Sequence, residues 1–196
     1  MKNLLVSVLA FVSGFVIMSL ELLGGRLLAP YFGSSIYVWG SVITVFMLAL
    51  SVGYLTGGKL SLFNPSLKRF SLIFFAAAAT LYPLAMITGP VMERVFEAIT
   101  DPRWGSFVAA LFLFAPPTFI LGLISPYAVR LLVINVDRAG NTAGTLYFLS
   151  TIGSALGTLA TSFYFVLWFQ MDTIIFLLSG TLLILGLVSW IAARFG

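Results

Sequence analysis

The sequence predicts an all-α membrane protein of six transmembrane helices, and three observations carry that prediction. Hydrophobic residues make up 61% of the 196 residues and charged residues 8%, where a soluble domain carries about 25% charged. The mean hydropathy is +1.13; a chain this short has too little interior to hide so much apolar surface, so lipid must cover the rest. Apolar runs of about twenty residues, the length that crosses a hydrocarbon core, recur along the whole chain.

The runs fall at about 4–29, 38–58, 70–89, 104–129, 142–169 and 173–193, with no linker to divide residues 1–196 into more than one domain. The first is longer than a signal-peptide core and has no small-residue cleavage site, so it reads as a span. Its exit carries Gly24, Gly25, Pro30 and Gly33, which predict an unwound or kinked end. The second ends in Gly53-Tyr-Leu-Thr-Gly57 and the third contains Pro83. After the third, Val91, Val95, Phe96 and Ile99 form one apolar stripe, predicting a short helix on the membrane surface over 91–103. The fourth contains Pro116-Pro117 and Pro126; prolines there free backbone carbonyls beside protein or a water cavity. The fifth holds Gly153-Ser-Ala-Leu-Gly157, and the sixth is uninterrupted.

Charge orients the spans. With the N-terminus inside, Lys2, Lys59, Lys68, Arg69, Arg130, Arg138 and Arg194 face the cytoplasm, against Arg94 and Arg103 outside. That asymmetry puts both termini in the cytoplasm and the protein in the cell (inner) membrane. Trp39, Trp104 and Trp168 then lie at outer helix ends and Trp190 near an inner one, as interfacial aromatic belts require.

The chain has no cysteine and no histidine. This excludes thiolate chemistry, disulfides and imidazole bases, and removes the usual zinc and haem ligands, so no metal or cofactor is expected. The net charge of +4 is scattered between apolar runs, which excludes a nucleic-acid patch. Glu21 is the one carboxylate deep in a span. A charge there costs about 2.5–3.5 kcal/mol unless it is protonated, paired or facing water. Ser7, Gly14 and Glu21 recur every seven residues and give the first helix a small, polar stripe. Two readings stand: a cation or proton site, or a pair with Arg26 that fixes the helix end. Tyr31, Tyr37 and Trp39 supply rings for a cationic ligand, or form an interfacial belt.

The glycine pairs of the second and fifth spans are small-xxx-small spacings, as is Gly140-Asn-Thr-Ala-Gly144. Such spacings let helices approach closely in lipid, and here they predict a homodimer through one of those faces. Their equivalent places suggest a three-plus-three repeat, inverted because each half has an odd number of spans, as in transporter folds. Arg26-Leu-Leu and Arg130-Leu-Leu echo each other at the ends of the first and fourth spans.

The run Glu21-Leu…Arg26-Leu-Leu-Ala-Pro30-Tyr-Phe-Gly33…Trp39…Gly53-Tyr-Leu-Thr-Gly57-Gly-Lys59, with Ser125-Pro126-Tyr-Ala-Val-Arg130 and Gly144-Thr-Leu-Tyr147…Gly153-Ser-Ala-Leu-Gly157, resembles the membrane domain of the fused major-facilitator-like/spermidine synthase family. The resemblance runs from the first to the fifth helix. It carries over Glu21, Arg26, Pro30, Gly33, Trp39, Arg130 and Tyr147. In that family a soluble aminopropyltransferase domain follows the membrane part; none follows within these residues, so the expectation is not an enzyme. The stretch Gly53 to Lys59 with Lys68-Arg69 is similar to a major-facilitator loop but lacks its acidic residue. The resemblance implies half of a major-facilitator-like fold, acting as a homodimeric transporter for a small cationic metabolite such as a polyamine. The substrate set is then Glu21, Arg26, Tyr31, Trp39 and Tyr147. The alternative is a non-transporting subunit that recruits a separate spermidine-synthase-like protein.

Overall fold

The computed structural model describes residues 2–133 and 135–195. Among them every regular element is a helix: α1 Lys2–Phe32, α2 Ile36–Leu60, α3 Leu67–Leu81, α4 Leu84–Ala98, α5 Pro102–Gly122, α6 Ile124–Leu132, α7 Ala139–Ala160, α8 Val166–Trp168 and α9 Met171–Phe195. A 3-10 turn precedes α7, and a π turn, Thr161–Phe165, joins α7 to α8. Five helical stretches are long and apolar enough to cross a membrane, and α3 with α4, bent by 48°, make a sixth if they cross as one. This is a multi-pass membrane protein. The helices start two or three residues before the apolar runs, because polar residues at the interface still accept helical geometry.

The exit of α1 is not unwound. The helix continues through Gly24, Gly25 and Pro30 and stops at Gly33, whose φ of +80° closes the last turn. Glycine reaches that left-handed conformation without the clash a Cβ would bring. Gly24 and Gly25 serve packing: a Cβ on Gly24 would meet Phe114 and Val42 at 3.3 Å, and one on Gly25 would meet the Trp39 indole at 2.6 Å. Pro30 sits in the final turn, where the acceptor it deprives lies close to the end of the helix.

The prolines of the fourth run also leave their helix intact. Pro116 and Pro117 lie inside α5, and the break comes at Leu123, with Pro126 in the first turn of α6. Pro83 does break its span, standing at the start of α4. The expected surface helix over 91–103 is instead the second half of α4, which begins at Leu84 and ends at Ala98. Met92 is buried and Phe96 packs edge-on against Tyr31 and Phe32. Asp101 then caps α5, accepting from the Arg103 N–H at 2.9 Å.

Three helix pairs build the bundle: α1 with α7, α2 with α5, and α3 with α9. The first two run parallel and are glycine-mediated. Gly153 sits on the carbonyl oxygen of Phe11 and Gly157 on that of Phe15; Gly53 sits on that of Phe119, and a Cβ on Gly57 would stand 2.7 Å from that of Leu123. In return Gly14 meets the carbonyl of Ser150, and a Cβ on Gly122 would lie 3.0 Å from that of Leu50. The α3–α9 pair is antiparallel, tied by Ser179 donating to Ala78 at 3.0 Å and Ser189 to Leu67 at 3.3 Å.

These contacts correct the expected dimer surface. The glycine faces of the second and fifth spans are consumed inside one chain, where backbone meets backbone, and are not free for a second copy. Gly140 and Gly144, by contrast, would carry a Cβ with nothing within 4 Å of it. At the α2–α3 end, Tyr127 of α6 stacks on Phe70 at 5.5 Å and accepts from the Ser66 N–H at 3.2 Å, which pins the loop.

Candidate functional site

A cavity of about 440 Å³ opens between α2, α6 and α7, lined by Tyr54, Ser125, Pro126, Tyr147, Ser150, Thr151 and Ser154. Two phenol rings and four aliphatic hydroxyls face it, and no lysine or arginine does. Its floor reaches α1, because Gly14 touches the hydroxyls of Ser150 and Ser154, and Ser154 donates to the Gly14 carbonyl at 3.2 Å.

Glu21 lies on the same stripe of α1 as Gly14, seven residues and about 10 Å further along. Gly14 contacts α7, and Gly25, four residues beyond Glu21, contacts Trp39 of α2. Glu21 is partly buried, on the stretch of α1 between its Gly14 contact with α7 and its Gly25 contact with Trp39 of α2. Arg26 does not pair with it. Five residues turn a helix by about 140°, Arg26 is exposed, and the one ion pair among the described residues joins Asp101 to Arg103.

At the depth of Glu21 the bundle has other polar groups. Gly24 lies against Phe114 and Gly105 against Phe32, an antiparallel register that sets Thr118 opposite Leu20. Ser19 donates to the Gly157 carbonyl at 3.3 Å, which brings Thr161 to the same level. The hydroxyls of Thr118 and Thr161 are buried without partners. Thr161 also opens the π turn, a distortion that recurs at functional sites.

The chain matches no family model, no curated protein and no solved structure.

The remaining sequence-derived residues are spread over the molecule. Tyr31 and Pro30 line a separate groove of about 320 Å³ between α1, α4 and α9, with Asp172 at its edge. Trp39 packs on Gly25. Arg130 is exposed near the end of α6. Thus Tyr147 and Pro126 share the hydroxyl-lined cavity, and Glu21 lies outside that lining, about 10 Å further along α1 than Gly14. Tyr31 and Arg26 lie elsewhere. The sequence reading missed Tyr54, Ser150 and Ser154, since a hydroxyl on a glycine-rich helix carries no signal until its neighbour helix is known.

Proposed function

We propose that this chain is half of a major-facilitator-like carrier, working as a homodimer in the cytoplasmic membrane and moving a small organic cation of the polyamine type. The observation that carries this reading is the exchange symmetry of the packing. If α1, α2 and the α3–α4 pair stand for the α5–α6 pair, the α7–α8 stretch and α9, then the α1–α7 pairing becomes the α5–α2 pairing, and α3–α9 maps onto itself. The contacts repeat at fixed offsets. Gly53 and Gly153 are 100 positions apart, as are Gly57 and Gly157 and also Leu50 and Ser150; their partners Phe11 and Phe119, Phe15 and Leu123, and Gly14 and Gly122 are each 108 apart. The Arg26 and Arg130 echo, at 104, falls one turn outside this register.

Six crossings with both termini inside agree with the parallel α1–α7 and α2–α5 pairs and the antiparallel α3–α9 pair. An odd number of crossings per half turns the second half over, the arrangement of inverted-repeat carriers. Two features support the ligand class. Glu21 is a carboxylate within α1 without an ion-pair partner among the described residues, and in the cavity Tyr54 and Tyr147 supply ring faces for a cation while the hydroxyls supply acceptors. An anion would find no positive side chain in the cavity lining. On this reading the chain is a carrier and not an enzyme.

Ligand-dependent thermal stability in mild detergent tests the reading. Spermidine at 100 times its dissociation constant should stabilise the protein by about 2.7 kcal/mol and raise its melting temperature, while a dicarboxylate should not. A shift with the dicarboxylate alone would contradict the cation class.

A further inference from the structure

We infer that the face shared by α2 and α7 is covered by a second copy of this chain, and that the partner's α2 and α7 close the hydroxyl-lined cavity. The stretch containing α7 is the least apolar of the five long membrane-crossing stretches and also the least buried: 17% of its apolar window packs inside the chain, against 39–50% for the others. A lipid-facing helix should be the most apolar, so this one has the wrong surface for lipid. Tyr147 and Thr151 are exposed on α7 and Ser51 and Tyr54 on α2. Ser51 and Thr158 satisfy themselves on the carbonyls of Met47 and Ser154. Among the described residues Tyr54, Tyr147, Ser150 and Thr151 make no such bond. Hydrocarbon supplies no partner for them, and leaving each unpaired there is costly.

The covering partner is identified by the symmetry of the face. α2 and α7 are the two elements that the internal exchange interconverts, and each is seated on the helix behind it by the same pair of glycines. A surface built from two equivalent, oppositely directed helices is complementary to itself. A two-fold axis along the membrane normal lays α2 on the partner's α7 and α7 on the partner's α2, which is an isologous interface. The site is incomplete without it, because the open side of the cavity is the side the second copy occupies. This inference rests on the homodimeric carrier reading and adds the face and the composite site.

The absence of cysteine makes the test direct. Because Tyr54 and Tyr147 line one cavity, Val52 of one copy lies level with Phe148 of the other; both are exposed, at 54% and 63%. Val52→Cys and Phe148→Cys proteins are mixed in lipid and oxidised, with Ile184→Cys on α9, 60% exposed, as the control. A covalent species of twice 21.3 kDa is expected from the mixture, at a yield roughly tenfold above the Ile184→Cys control, as a specific two-fold interface requires. Equal yields from all positions, or none from the mixture, overturn the interface. Uptake is assayed on the same reconstituted protein without oxidant. Cross-linking without uptake keeps the interface and removes the carrier reading; uptake without cross-linking removes the interface alone.

Discussion

Gly153 rests on the main-chain carbonyl oxygen of Phe11, with no room between them for a methyl group. The parallel crossing of α1 and α7 depends on that contact, because lipid supplies no hydrophobic drive to hold two helices together and close backbone packing must do so. Gly153→Val should force the helices apart and cost about 1–3 kcal/mol, the range for overpacking a filled interior. Gly180→Ala is the control, since nothing lies within 4 Å of its added carbon; it should be neutral or stabilise by up to about 1 kcal/mol through helix propensity. Thermal unfolding in detergent reads both. Equal losses at the two positions would contradict the packing role.

Glu21 and Arg26 share a helix but not a face, which separates two substitutions. Glu21→Gln should fold normally, because an amide costs less than an unpaired carboxylate within the membrane, and should lose cation binding. Arg26→Gln should leave binding unchanged. If both substitutions lose binding together and the double change restores it, the two residues are coupled and the site assignment fails.

Much of the helical architecture was legible because membrane spans announce themselves by length and apolarity, which are local properties. What the sequence concealed depended on partners. Gly24, Gly25 and Pro30 look like helix breakers until Phe114 and Trp39 are seen to require the missing side chains of the two glycines. Gly53 and Gly153 carry a dimerisation spacing, yet their partners proved to be carbonyls of the same chain. For the candidate site, Glu21 stood out by its charge and Tyr147 by resemblance. Ser150 and Ser154 gained meaning only once Gly14 was placed against them.

The orientation is tested by side-specific labelling of single cysteines in the turns. Leu62→Cys and Asp137→Cys should react with a membrane-impermeant maleimide only after the membrane is opened, whereas Ser34→Cys and Thr100→Cys should react on intact cells. All four positions are exposed. The expectation follows from the excess of lysine and arginine on the α2–α3 and α6–α7 side. The opposite pattern would invert the protein.

Tyr147 lines the cavity, where its ring and its hydroxyl offer different contacts. If the ring holds a cation, Tyr147→Phe should keep most of the binding. Tyr147→Leu should weaken it by about 0.5–2 kcal/mol, the span for a cation over an aromatic face. Titration of the purified variants with spermidine distinguishes the cases, and equal losses in Phe and Leu would assign the interaction to the hydroxyl.

The most direct measurement is counterflow of labelled spermidine into liposomes that hold the purified protein and unlabelled spermidine. The carrier reading predicts accumulation of label above protein-free liposomes, abolished by Glu21→Gln and unaffected by Arg26→Gln. Accumulation no greater than in protein-free liposomes, from protein that remains folded and dimeric, would contradict it.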